Sequence, residues 1–288
     1  MSDKILRCTG KKAEFRLVVV DASQTAQEIT SAHGAPPEVS TLMGEVICGA
    51  LLMAAGLKQP GALQVALHYQ GSLSQVSADA TPMGLVRATV NAEELRALVD
   101  SGKKTPPHFN LEPKEIRVIK WSETGSLLHE SRVPMAHHRT GPALTGYLLQ
   151  SEQIPSSLGL FSGFHEGKLY ALGFLIEALP RIDEETLSAL EENLCTLRSP
   201  TEYREGSFWN ISAWAQALGG GFEIEVHREF DVQAFCPCTR ERALKGFLYL
   251  PEPERNQLFE EKGKAEIICE YCRRVYTFSQ QDLGLKIK

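Results

Sequence analysis

Cys236-Pro237-Cys238-Thr239-Arg240-Glu241-Arg242 and, after thirty residues between Cys238 and Cys269, Cys269-Glu270-Tyr271-Cys272 decide how this 288-residue chain is organised. Four soft sulfur ligands in two close pairs suit one tetrahedral Zn²⁺ per chain, each sulfur about 2.3 Å from the metal. Their segment, Val232 to Lys288, is 57 residues long. A module that short buries little apolar core and commonly needs a staple. It holds ten Lys/Arg and eight Asp/Glu, against 20 and 28 in the rest of the chain, so it is slightly basic before thiolates are counted. Arg240, Arg242, Arg273 and Arg274 lie within four residues of a cysteine and could offset thiolate charge.

The spacing leaves two readings open. A purely structural zinc ribbon usually has two C-x-x-C knuckles, whereas the first pair here is C-x-C around Pro237. Each pair could close on its own neighbour after little chain movement, which lowers the barrier to oxidative metal release. Structural zinc contributes on the order of 10 kcal/mol to folding, so its loss would unfold so small a module. Structural staple and redox switch both fit.

Outside this tail the cysteines are scattered. Cys8, Cys48 and Cys195 have no partner nearby in sequence and read as small apolar residues without chemistry. His227 is the one histidine near the cysteine pairs, but four thiolates already complete a zinc shell; the adjacent His137 and His138 read as surface residues. Composition is that of a folded protein, 43% hydrophobic and 23% charged, which excludes a disordered or fibrous chain. A net charge of −6 gives no whole-chain reason to expect nucleic acid. The longest nearly unbroken apolar stretch, Val46 to Leu57, is too short to span a bilayer, and the opening Met-Ser-Asp-Lys lacks the plan of a secretory signal. A cytoplasmic protein without a membrane partner is expected.

Upstream, Phe15 to Asp21 predicts a β-branched strand and Thr41 to Leu57 a helix buried on most sides. Leu63–Tyr69 and Leu73–Asp79 form a predicted hairpin, with Leu85–Val90 as a third strand; Ile116–Trp121 and Leu127–Val133 repeat the pattern. Hairpins mixed with helices indicate an α+β fold: an N-terminal mixed domain with antiparallel sheet over 1–180, a short helical linker over 181–231, and a small C-terminal zinc-binding domain over 232–288. In the linker, Asp183 is an N-cap candidate, and Leu187, Leu190, Leu194 and Leu197 recur at helical spacing as one apolar stripe. A second helix is predicted around Phe208–Leu218, stopped by Gly219-Gly220-Gly221, which reads as a hinge.

The C-x-C and C-x-x-C motifs, the residues around them, and Tyr276 and Phe278 resemble the redox-regulated heat-shock chaperones of about thirty-three kilodaltons. Gln150-Ser151-Glu152-Gln153-Ile154-Pro155, Gly173-Phe174-Leu175-Ile176-Glu177-Ala178-Leu179-Pro180 and Thr41 to Lys58 are similar to upstream segments of that family. The resemblance implies an ATP-independent holdase rather than an enzyme. In that family the reduced form holds Zn²⁺ through residues matching Cys236, Cys238, Cys269 and Cys272 and is inactive. Oxidation forms disulfides matching Cys236–Cys238 and Cys269–Cys272 and releases the metal. The tail and linker then lose order and apolar surface meets unfolding client proteins. The active form is a homodimer built through the N-terminal domain. Periodicity marks the stripe Leu187, Leu190, Leu194 and Leu197 as surface covered in the reduced state.

Two alternatives differ in class. A zinc-ribbon module for nucleic acid or a protein partner, with purely structural zinc, predicts a basic patch with exposed aromatics, which a nearly neutral tail does not offer. A thioredoxin-like thiol enzyme needs its C-x-x-C at a helix start beside a βαβ unit. No phosphate-binding G-x-x-x-x-G-K-[ST], H-E-x-x-H or G-x-S-x-G occurs in the chain.

Overall fold

The run Phe15-Arg16-Leu17-Val18-Val19-Val20-Asp21 is apolar at four consecutive positions, Leu17 to Val20, the pattern of a strand covered on both faces. In the computed structural model it is the central strand of a five-stranded antiparallel sheet. The structure describes residues 2–10, 14–71, 73–92, 112–197, 199–205, 208–255, 264–279 and 282; Ser72, in the turn predicted between Tyr69 and Leu73, lies outside them.

The chain begins with β1 (Lys4–Gly10), β2 (Phe15–Asp21), α1 (Ser23–Ala32) and α2 (Pro37–Ala54). Then come β3 (Gly61–Gln70), β4 (Leu73–Ala80), β5 (Leu85–Ala92), β6 (Glu112–Ser122) and β7 (Leu127–Pro134). Helix α3 (Thr140–Tyr147) leads to β8 (Ser156–His165) and β9 (Lys168–Ala178). Beyond these lie α4 (Glu184–Thr196), β10 (Arg204–Glu205), β11 (Phe208–Trp209), α5 (Ile211–Leu218), β12 (Ile224–Asp231) and β13 (Gln233–Ala234). The tail adds α6 (Arg240–Leu248), β14 (Ala265–Ile268) and β15 (Val275–Phe278).

Two sheets sandwich α2. The first runs β12-β1-β2-β9-β8; the second runs β13-β5-β4-β3-β6-β7, antiparallel except for the β13–β5 pair. Helix α2 is long and apolar enough to cross a membrane by composition, yet 72% of it is buried inside this fold. Close packing depends on its glycines: a Cβ at Gly44 would stand 2.4 Å from Ser162 Oγ, and one at Gly49 2.6 Å from Leu144 Cδ1. The helix starts at Pro37, earlier than the predicted Thr41, because proline at the first position needs no partner for a missing N–H.

Alternation along β2 divides two cores. Val18 and Val20 face α2, while Phe15, Leu17 and Val19 face a second core. That second face is covered by residues predicted to form the linker: Leu190 of α4, and Ile211, Trp214, Ala215 and Leu218 of α5. Asp183 caps α4, its Oδ1 accepting the Thr186 amide at 2.7 Å. The helix predicted from Phe208 begins instead at Ile211, because Asn210 Oδ1 accepts the Ala213 amide at 2.9 Å, while Phe208–Trp209 pairs with Arg204–Glu205. Gly220 and Gly221, at φ 60° and 91°, turn the chain from α5 into β12. That strand, not predicted from sequence, pairs antiparallel with β1. By compactness the chain divides into two units, Met1–Ala234 and Phe235–Lys288, so residues 181–231 belong to the first.

Candidate metal centre

Among the described residues, the second unit builds α6 and the β14–β15 hairpin around a small core. Phe247 of α6, Ala265 of β14 and Phe278 of β15 are buried, with Ala243, Leu244, Ile267 and Tyr276 packed partly against them. Thr239 Oγ1 caps α6 by accepting the Arg242 amide at 3.2 Å, and Cys238 immediately precedes that cap. Arg240 ties the helix to the hairpin. Its guanidinium lies 4.4 Å from the Phe278 ring centre, donates to the Thr277 carbonyl at 2.6 Å, and pairs with Asp282 at 3.0 Å. Arg242 reaches back to the Pro237 carbonyl at 2.9 Å and so folds the C-x-C knuckle over the helix start.

The second knuckle is the turn between β14 and β15. The Cys269 amide donates to the Arg274 carbonyl and the Arg273 amide to the Cys269 carbonyl, both at 3.0 Å; Arg273 adopts φ 58° to close the turn. Both knuckles bring their thiols to one point. Cys236, Cys238, Cys269 and Cys272, all half-buried, have ligand atoms within 4.8 Å of one another. Cys236 Sγ is 3.6 Å from Cys269 Sγ, and Cys238 Sγ is 3.3 Å from Cys272 Sγ. A tetrahedron of sulfurs about 2.3 Å from a central Zn²⁺ has edges of about 3.8 Å. The donor set fits that ion in number, softness and spacing.

Electrostatics point the same way. Burial pushes the Cys236 thiol up, and pushes Cys272 up to about 12. Cys238 differs: burial raises it, but hydrogen bonds from Tyr276 and from the neighbouring thiols outweigh that and bring it down to about 7. Four sulfurs this close cannot all ionise without a cation among them, so metal loading would be coupled to proton release. Arg274 lies beside Tyr276 and the Cys272 and Cys238 sulfurs, which raise its pKa.

Every predicted ligand is in this cluster. His227 is not; it lies on β12, its Nε2 2.6 Å from Thr9 Oγ1. His137 and His138 are exposed, Cys8 and Cys48 are buried, and Cys195 is exposed. Of the linker stripe, Leu190 is buried and Leu194 and Leu197 pack partly against the second core, whereas Leu187 is 38% exposed. Sequence reasoning did not assign Tyr276 to the site. Its signal was an aromatic on the strand leaving the C-x-x-C turn, which hairpin register returns toward the first knuckle.

The Hsp33 protein family model matches residues 3–279. A 33 kDa chaperonin of Microcystis aeruginosa is 31% identical, covering 98% of this chain and 96% of that protein. One from Bacillus subtilis is 25% identical over 99% and 98%. The crystal structure of the 33 kDa chaperonin (heat shock protein 33 homolog) from Thermotoga maritima superposes with a TM-score of 0.82, covering 99% of this chain and 97% of that one at 21% identity. A family match over nearly the whole length, together with a relative 31% identical over almost all of both chains, makes this chain a member of the Hsp33 chaperone family.

Proposed function

We propose that this chaperone is an ATP-independent holdase switched by the redox state of Cys236, Cys238, Cys269 and Cys272. The observation that carries the reading is the four-sulfur cluster in a unit whose described residues bury so small a core. Zn²⁺ bound there would supply a strong cross-link between the two knuckles and would hold the thiols as thiolates. Cys236 and Cys238 would clamp the start of α6, and Cys269 and Cys272 the hairpin turn. Among the described residues only Phe247, Ala265 and Phe278 form a buried apolar core here, and three such side chains do not offset the entropy of ordering a unit of this size.

Oxidation by a peroxide-class oxidant removes the ligands. For each disulfide, two thiolates give up two electrons and form one S–S bond. The oxidant's O–O bond breaks, and with two protons taken up it leaves as two waters. The family resemblance favours pairing within knuckles, Cys236 with Cys238 and Cys269 with Cys272. Cys236 and Cys269, and Cys238 and Cys272, also approach each other across the knuckles, at 3.6 and 3.3 Å.

Loss of order would then spread to residues 181–231. Their apolar side chains cover Phe15, Leu17, Val19, Leu172, Phe174 and Ile176 on one face of the first sheet. Uncovering that face and the stripe Leu190, Leu194 and Leu197 supplies the contiguous apolar area a holdase needs for unfolding proteins. In this reading residues 1–180 are the dimerisation and client-binding domain, 181–231 the linker and 232–288 the switch. The active form is a homodimer in the cytoplasm.

The deciding experiment is light scattering of a heat-unfolding client with reduced, zinc-loaded protein and with peroxide-treated protein. Suppression only by the oxidised sample, reversed by dithiothreitol, is expected. Equal behaviour of the two would reduce the metal to a structural staple.

A further inference from the structure

Tyr276 links the two halves of the thiol cluster. It stands on β15 opposite Ile267, in the hairpin that carries Cys269 and Cys272, yet its hydroxyl points to the other knuckle. The Tyr276 Oη lies 3.1 Å from Cys238 Sγ and 3.1 Å from the Cys238 carbonyl oxygen. One O–H shared between two acceptors of the same residue fixes that residue in both backbone and side-chain position. The other sulfurs are served differently: Cys236 accepts the Cys238 amide and Cys272 the Arg274 amide. Tyr276 thus brings a side-chain hydroxyl to the cluster.

A donor on a metal-bound thiolate withdraws electron density from the sulfur and lowers its nucleophilicity, and outer-shell donors also hold ligands in place. Attack on a peroxide needs that same sulfur lone pair. The thiolate attacks one oxygen, the O–O bond breaks, the leaving oxygen departs as water after protonation, and the sulfur becomes a sulfenic acid. A neighbouring thiol then attacks that sulfur, forming the disulfide and releasing a second water.

We propose that Tyr276 is a positioning residue of the switch: its phenol pins Cys238 in the cluster and slows peroxide attack at that sulfur, so that it sets the oxidant threshold for metal release. The proposal rests on the redox reading above, and its test separates the two.

Full-length Tyr276→Phe, reduced and zinc-loaded, is compared with the wild-type chain. Peroxide-driven zinc release is followed with a chromogenic chelator, zinc loss to EDTA without oxidant is followed in parallel, and thiol trapping with mass spectrometry times the oxidation of each cysteine. Peroxide-driven release about tenfold faster is expected, the lower end of outer-shell effects at metal sites. Cys238 should oxidise earlier relative to Cys272, with a smaller change in loss to EDTA. Wild-type kinetics in the variant, or equal acceleration by EDTA and peroxide, overturns the shielding role. If the variant does not load zinc, the order of oxidation in the wild-type chain decides: Cys238 after Cys272 supports the role and Cys238 first overturns it. Wild-type protein that keeps its zinc under peroxide would remove the redox reading itself and this proposal with it.

Discussion

Asn193 of α4 donates through Nδ2 to the Leu218 carbonyl at 3.0 Å and to the Ala217 carbonyl at 3.0 Å, so one side chain satisfies two end carbonyls of α5. The last carbonyls of a helix have no partner within it. Here the neighbouring helix supplies one, and α4 and α5 are fastened to each other as they cover the sheet.

Replacing this side chain should loosen the cover without dismantling the sheets. Asn193→Ala leaves both carbonyls without that donor, at a cost of about 1–2 kcal/mol. Hydrogen exchange in reduced protein should accelerate across 184–196 and 211–218 and stay unchanged in β3, β4 and β6. Uniform acceleration throughout the first unit would show that the cover does not open separately.

Trp214 is the stronger lever. It is 1% exposed and meets Phe161 and Phe174 edge-on, with ring centres 5.7 and 5.9 Å away. Trp214→Ala removes the largest side chain that α5 buries against the sheet, a change that costs about 3–5 kcal/mol in a packed core. Reduced, zinc-loaded Trp214→Ala should suppress client light scattering without any oxidant. A variant as inactive as the wild-type protein when reduced would separate the covered face from client binding.

These two helices also mark the boundary of what the sequence revealed. Asp183 was readable because a cap is a local signal, and the C-x-C and C-x-x-C pairs because metal ligation tolerates few residue types. Phe15–Asp21 was readable as a strand, but its burial on both faces depends on which distant segment covers it. Strand β12, Ile224-Glu225-Val226-His227-Arg228-Glu229-Phe230-Asp231, escaped notice because it is an edge strand rich in charge and mostly exposed, held by its ladder to β1 and by pairs such as Lys4–Glu229 at 2.5 Å. The approach of Cys236 to Cys269 and of Cys238 to Cys272 is likewise tertiary, fixed by Arg240, Arg242 and Tyr276 rather than by spacing.

Metal and fold should be inseparable in the second unit. Cys236→Ser removes one soft ligand and should lower zinc content and affinity and partly deregulate the chaperone; unchanged metal content would contradict the ligand assignment. Stripping the metal from the wild-type protein at neutral pH should abolish protection of α6, β14 and β15 while β1–β9 keep theirs. Persistence of hairpin protection after chelation would mean that Phe247, Ala265 and Phe278 suffice.

Acid pairing near the start of α1 predicts a pH dependence of stability in the first unit. Asp21 and Asp3 are both buried, and both serve α1: Asp21 Oδ1 accepts the Ser23 amide at 2.9 Å, and Asp3 accepts the Gln24 and Thr25 amides at 3.1 and 2.6 Å. Burial, then the nearby Asp3 charge, raises Asp21 from 3.8 to about 7; burial raises Asp3 as well. Between those values the folded state holds a proton that the unfolded chain has released. Stability therefore falls as pH rises from about 4 to about 7, and the loss is complete above the folded value. Asp21→Asn keeps an acceptor for Ser23 but cannot ionise. The wild-type melting temperature should decline between pH 5 and 8, and the variant should decline less and melt higher than wild type at pH 8. Parallel profiles for the two proteins would place the titrating group elsewhere.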